Sequence, residues 1–497
     1  MENKNEKGIG LFSLIAIIIS GAIGGGVFNL ANDLATGATP GGVVVSWAFI
    51  AFGILMLVLS LNRLICIKPK LSGVSDYARA GFGDFVGFLS GWGYWISAWT
   101  GTIGFGVLMM TSADYFFPGK FAEPNGSLTI LSIIILSVIS WVLMLLVVRG
   151  VESAAVVNAI VLIAKLIPLV VFVIVGLVLF KANVFTQHFW QTFTTNLSAD
   201  GSIKSLAWSV MTGSSLLGQV KTSLMVMIWV FVGIEGAAMM GNRAKKKSDT
   251  GKATVIGLVV LLVFYILLSL LPYGFMSQQE LANVKAPGLV YILNQMVGGW
   301  GGTLMAVGLI ISLLGAWLSW TMLPVEATQL LAEQKLLPKW FGKLNEYNAP
   351  SNSLMITQIM IQIFIIITFF VANAYNVFIY MATAVIMICY ALVGAYLLKL
   401  GIQEKSIKNI LIGFFTFIFQ ALALYLSGWQ YVWLAAILYM IGFVLFTYAK
   451  RENNRKVSKK EWTAMAMITL LAIMALIVLI HGGKAGSALD LRGLLGL

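Results

Sequence analysis

Two ionisable residues stand in surroundings where a charge is costly. Glu235 lies in Trp229-Val230-Phe231-Val232-Gly233-Ile234-Glu235-Gly236-Ala237 and Lys165 in Ala164-Lys165-Leu166-Ile167-Pro168, each inside an apolar run of bilayer-spanning length. A charge near mid-span costs about 2.5 to 3.5 kcal/mol on insertion scales, so each must face a cavity or a partner. Glu235 reads either as a carboxyl that couples a proton to occupancy or gating, or as one fixed in a structural ion pair or hydrogen-bonded neutral in the bundle. Lys165 lies too deep to snorkel. Its ammonium reads as a proton-linked group, as an occupant of the place a sodium ion would fill, or as a tie to carbonyls of the first helix. Every one of these readings argues against sodium coupling. Catalytic sets do not form: His188 and His481 are isolated, no Cys-His or paired-carboxylate spacing occurs, and Cys66 and Cys389 lack metal-ligand spacing. The sequence therefore predicts no enzyme, no metal site and no cofactor.

The elements that must position these groups are broken helices. Ser20-Gly21-Ala22-Ile23-Gly24-Gly25-Gly26-Val27-Phe28 sits in the first apolar run, and each interior glycine costs about 1 kcal/mol against alanine. Irregular backbone is tolerated at membrane depth only where protein or an aqueous cavity satisfies it. The stretch therefore predicts a helix interrupted to expose amides and carbonyls to a site. The sixth span is interrupted in the same way at Gly233 and Gly236 beside Glu235. Matching interruptions in two halves of a chain are the sequence mark of a secondary-transport site; ordinary close packing of small residues is the alternative. Aromatics crowd the expected pathway: Tyr94, Trp95 and Trp99 in the third span, Trp229 in the sixth, Trp317 and Trp320 in the eighth and Tyr390 in the tenth. Indole faces attract organic cations, although tryptophans also serve as packing and lipid-facing residues.

The 497 residues are 59% hydrophobic and 10% charged, far from the balance of a soluble domain. Runs of about 20 apolar residues divide the chain into about 13 spans: 8–34, 41–61, 85–117, 128–148, 154–180, 224–240, 253–276, 303–331, 354–371, 377–398, 410–426, 432–449 and 462–480. The first run has no small-residue cleavage site after it and is expected to stay as a helix. Most of the 32 Lys and Arg fall in connections on the side of the N-terminus, among them Arg63, Lys68, Lys70 and Arg79, the 243–252 cluster, and the 450–460 cluster. That bias places the N-terminus inside and, for an odd span count, the C-terminus outside. The net charge of +13 is then a membrane-orientation signature and excludes nucleic acid as the expected partner.

Four segments carry a resemblance: Ser20 to Phe28, Tyr77-Ala78-Arg79-Ala80-Gly81-Phe82-Gly83-Asp84-Phe85, Gly93-Tyr94-Trp95-Ile96-Ser97-Ala98-Trp99, and Trp229 to Ala237. Together they resemble the basic amino acid/polyamine antiporters of the amino acid, polyamine and organocation superfamily, over nearly the whole chain. Arg243 to Thr254 and Ser312 to Trp320 resemble the arginine/ornithine branch in particular. The resemblance implies an all-α polytopic fold with two inverted five-helix repeats. The boundaries would be a cytoplasmic N-terminus at 1–7, repeats at 8–180 and 223–398, an outward connection at 181–222, additional helices at 399–480, and an outward tail at 481–497. It further implies a bacterial-type cell-membrane antiporter that exchanges an external cationic amino acid for its internal product by alternating access. A proton-coupled importer is the alternative, and the helices beyond the tenth are open either to homodimer contacts or to lipid.

Carried over by residue, amides around Gly24, Gly25 and Gly26 would hold the substrate carboxylate. Carbonyls near Ala22, Ile23, Trp229 and Val232 would receive its amino group, Trp229 and Trp320 would stack on its side chain, and Tyr94, Glu235 and Tyr390 would gate. The chain departs from the arginine carriers where Thr102 replaces an asparagine and where Leu71-Ser72-Gly73 replaces a glycine doublet. Side-chain choice accordingly falls to Ala98, Thr102, Trp229 and Trp320, with arginine/ornithine and histidine/histamine both open as exchanged pairs.

Overall fold

The computed structural model describes residues 10–71, 73–149, 155–198, 202–235 and 247–481. Its helices, in chain order, are α1 (Leu11–Ala22), α2 (Leu30–Ala35), α3 (Pro40–Ile67), α4 (Val74–Phe82), α5 (Asp84–Asp114), α6 (Ile130–Val148), α7 (Ala155–Leu179), α8 (Ala182–Thr186) and α9 (Gly213–Trp229). They continue as α10 (Lys247–Leu270), α11 (Gln278–Ala282), α12 (Gly288–Val297), α13 (Gly299–Glu333), α14 (Ser351–Ile367), α15 (Ala374–Gln403), α16 (Ile407–Ala423), α17 (Trp429–Glu452) and α18 (Lys459–His481). Nine helices among the described residues are long and apolar enough to cross a membrane. The other apolar stretches are carried by α1 and α9, which end at glycine-rich breaks, by the Gly- and Trp-rich α5, and by the 17-residue α14. The chain is thus an all-α polytopic membrane protein.

Helix starts follow local chemistry. Thr39 caps α3, with Pro40 in the first turn where its missing N–H is no loss. Thr129 caps α6 by accepting from Ser132 N at 3.3 Å, and a Thr212/Ser215 capping box opens α9. That box places the start of α9 at Gly213, inside the 181–222 stretch expected to be a connection. The same stretch also holds a hairpin, with Gln191–Leu197 paired antiparallel to Ile203–Val210. His188 stacks on Trp208 of the hairpin, ring centroids 3.8 Å apart.

Contacts divide the chain into two compact units. The first comprises Met1–Lys70, Thr111–Phe117 and Asn158–Leu314. Here α1 packs along α10, and α3 against α9 and α10. The Gln219 side chain joins three segments: its Oε1 accepts from Thr39 N at 2.9 Å and its Nε2 donates to Gln191 O at 3.1 Å. Asn283 clamps the hairpin through a reciprocal pair with Ile203, at 2.8 and 2.9 Å.

The second unit comprises Leu71–Met110, Pro118–Val157 and Gly315–Leu497. In it α15 and α16 pack closely, where Gly394 and Gly413 let the two backbones approach, as small residues do in membrane bundles. Polar ties replace water inside it. Gln358 donates to Ser140 at 2.9 Å, Gln362 to Ser137 at 2.8 Å, and the Trp92 indole to the Leu438 carbonyl at 3.0 Å.

Candidate substrate site

In the first unit the expected break is present. α1 stops at Ala22, the chain turns through Ile23 and Gly24 with Gly24 N on Ala22 O at 2.8 Å, and a single 3₁₀ turn, Gly26–Phe28, leads to α2. The first amides of a helical turn have no acceptor within it, so Gly25 and Gly26 present N–H groups at the break. The second break is equally plain. α9 stops at Trp229, and 230–235 unwinds into consecutive turns, Val232 N on Trp229 O and Ile234 N on Phe231 O, with Gly233 at φ 105°. Gly236 and Ala237 of that motif lie outside the described residues, as do Ser72, 243–246 of the 243–254 motif, 1–7 and 482–497.

The two breaks touch. A Cβ on Gly26 would lie 2.5 Å from Trp229 Cδ1 and 2.8 Å from its Nε1, so only glycine lets the indole rest on the first break. Glu235 is 2% exposed, and its Oε2 accepts from Gly233 N at 3.0 Å, which closes the left-handed turn.

Lys165 lies 2% exposed on α7 and donates to Ser20 O and to Ile23 O, the latter at 3.1 Å. Of the readings offered for it, the tie to carbonyls of the broken helix is the contact observed. Its neighbourhood has a local cause. Pro168 has no N–H to offer the Ala164 carbonyl one turn back. Gly308 of α13 packs against that turn, so closely that a Cβ there would lie only 2.6 Å from Ala164 O and 2.7 Å from Pro168 Cγ.

Tyr265 was not singled out by sequence. Its hydroxyl donates to Ala22 O at 3.0 Å, and its ring meets Phe231 edge-on at 5.3 Å. It therefore bears on both breaks. The signal for it was a tyrosine in an otherwise apolar run, where a buried phenol needs an acceptor. Asn29 is a second addition: its Oδ1 accepts from Gly288 N at 3.0 Å and its Nδ2 donates to Asp33 at 2.8 Å, which fastens α12 over the start of α2. Of the two carbonyls expected to receive the substrate amino group, Ile23 O accepts from Lys165 and retains one lone pair, whereas Ala22 O already accepts from both Gly24 N and the Tyr265 hydroxyl.

The remaining expected residues lie in the second unit. Tyr94, Ala98 and Thr102 recur every four residues on one face of α5, and all three are buried. The Thr102 hydroxyl donates to Trp99 O at 2.7 Å, so its proton is engaged by its own helix. Trp320 of α13 meets Phe105 of α5 edge-on at 5.2 Å. Tyr390 is buried in α15, which is tied to α5 by Ser97 Oγ on Ala382 O at 2.8 Å. Trp95 and Trp317 are packing residues: Trp95 Nε1 donates to Thr357 at 2.9 Å, and Trp317 lies against Gly106.

Residues 9–473 match the family described as amino acid permease. The chain is 81% identical over 496 residues to the arginine/ornithine antiporter ArcD2 of Lactococcus lactis subsp. cremoris, covering 100% of both chains. It is 69% identical over 497 residues to the arginine/ornithine antiporter ArcD1 of the same organism, with 100% of this chain and 94% of that one covered. To the arginine/ornithine antiporter of Latilactobacillus sakei it is 46% identical over 487 residues, covering 97% and 99%.

Proposed function

The chain belongs to the amino acid permease family, and from that premise we propose that it is an antiporter exchanging an external cationic amino acid for its internal product by alternating access. The observation that carries the reading is the contact of the two helix breaks, with Trp229 resting on Gly26. The amides of Gly25 and Gly26, at the start of a helical turn, suit an α-carboxylate, and an indole beside them suits a cationic group. Ala22, Ile23, Gly24, Gly25, Gly26, Trp229 and Val232 would hold the amino acid backbone. Ala98, Thr102 and Trp320 would face its side chain, and Tyr94, Glu235 and Tyr390 would gate.

Arginine and ornithine are the pair we assign, because relatives at 81% and 69% identity carry that name. The Thr102 hydroxyl, turned back to its own helix, offers no proton to a different head group. The matched breaks also support two inverted repeats, 8–180 and a second that runs to 398 and, with α9 beginning at Gly213, starts before the expected 223. The charge bias supports a cell membrane location with the N-terminus inside and the C-terminus outside. Proteoliposomes loaded with ornithine or histamine in turn and given labelled arginine or histidine test the pairing. Accelerated arginine uptake with ornithine inside is expected, and no acceleration with any preloaded amine or amino acid would sink exchange. The buried ammonium of Lys165 favours proton-coupled import as a second reading. Uptake into empty vesicles driven by a pH gradient alone would establish that one instead.

A further inference from the structure

Between Lys450 and Lys460, where α17 turns into α18, six residues are Lys or Arg. The structure sorts them into two sets. Lys450 is buried and pairs with Asp84 at 3.3 Å and Glu461 at 3.1 Å, and Arg455 pairs with Asp84 at 3.1 Å. Arg451, Lys456, Lys459 and Lys460 are exposed and form no ion pair among the described residues. Ion pairing inside the protein therefore engages two of the six and leaves four cations facing outward, while the one other carboxylate of the turn, Glu452, accepts from Lys339 N at 2.9 Å.

They are held in place rather than strung on a loose loop. Arg455 N donates to Lys450 O at 2.8 Å, and Asn454 takes the left-handed conformation at φ 55° that the tight turn requires. Ser458 and Glu461 cap α18 reciprocally, Ser458 N on Glu461 Oε2 at 2.7 Å and Glu461 N on Ser458 Oγ at 3.3 Å. Depth follows from the rings on either side. Tyr448 is 57% and Trp462 53% exposed, one turn before Arg451 and one turn after Lys459. Beyond them the helices expose Val444, Leu470 and Ile477. Amphipathic rings settle at the headgroup level of a bilayer and bare apolar side chains in its hydrocarbon.

We propose that this turn binds the anionic headgroups of membrane phospholipids, with Arg451, Lys456, Lys459 and Lys460 as the contacts. Clustered cations immediately outside a span are attracted to anionic lipid surfaces. The rings and hydrocarbon-facing side chains beneath the cations favour an anion carried on acyl chains over a free one. The surface would hold the α17–α18 hairpin against one leaflet whichever amino acid is carried.

The test uses the purified full chain in phosphatidylcholine nanodiscs titrated with spin-labelled phosphatidylglycerol. Selectivity for phosphatidylglycerol over phosphatidylcholine should fall at least tenfold in R451Q/K456Q/K459Q/K460Q and in wild type at high salt. K405Q/K408Q, in another connection, should leave it unchanged, and inorganic phosphate should not displace the labelled lipid. Equal selectivity in the quadruple variant and wild type would overturn the proposal, as would displacement by inorganic phosphate. Should the quadruple variant fail to fold, K459Q/K460Q and the wild-type salt dependence decide on the same criterion.

Discussion

Lys165→Met isolates what the buried ammonium does for the first break. Methionine keeps the length and apolar stem but removes both donors, to Ser20 O and Ile23 O. A hydrogen bond from a charged donor contributes about 1.5 to 3 kcal/mol, so the break loses about 3 to 6 kcal/mol of tethering. Against this, an ammonium taken out of water costs several kcal/mol, which methionine avoids. The two effects oppose each other in folding, and the net change should be within about 2 kcal/mol, a shift of a few degrees in the unfolding midpoint. Transport has no such compensation. If the tether holds the break in its binding-competent shape by even about 3 kcal/mol, its loss lowers the competent fraction by about two orders of magnitude. The assay pairs thermal unfolding in detergent with arginine/ornithine counterflow in proteoliposomes. We expect a near-native midpoint with counterflow reduced at least tenfold. Native counterflow in a protein that has lost both hydrogen bonds would refute the assignment of Lys165 to the shape of the break. Native counterflow with loss of pH-gradient-driven uptake would assign it to the proton.

Three further changes probe separate parts of the molecule. Gly26→Ala places a Cβ 2.5 Å from the Trp229 ring and should reduce counterflow at least tenfold. Adding Trp229→Leu should relieve the clash, so additive losses in the double variant would show that the contact does not matter. Glu235→Gln should fold and flatten the pH dependence of counterflow; an unchanged profile would leave Glu235 a structural closure of the Gly233 turn. At Asp84, burial raises the carboxyl pKa, but hydrogen bonds and charge from Arg79 and Lys450 hold it below its ordinary value. A depressed carboxyl stabilises the fold above its unfolded pKa of about 3.9, and that stabilisation is lost as pH falls through the folded value. Asp84→Asn should therefore lower the unfolding midpoint at neutral pH, with the gap to wild type closing below about pH 4. A gap that persists in acid would point to packing instead.

By itself the sequence determined the features that are properties of a few adjacent residues. Three consecutive glycines at 24–26 weaken a helix locally, apolar length requires a membrane, and a lone lysine or glutamate in such a run requires a partner. Those properties decided the membrane class, the two breaks, and Lys165 and Glu235 as the groups to follow. Tertiary structure decided who the partners are. Tyr265 reaches the Ala22 carbonyl across 243 positions, Trp229 settles on Gly26, and Gln219 joins Thr39 to the hairpin strand, none of which is written in local spacing. Trp95 and Trp320 look alike as indoles in apolar helices, yet one is fixed on Thr357 while the other lies edge-on to Phe105. Thr102 read as a hydroxyl open to a ligand until the fold turned its proton to Trp99 O. The division has a physical reason: breaking a helix depends on backbone freedom within a few residues, whereas satisfying the freed groups depends on whichever distant side chain the packing brings within about 3 Å.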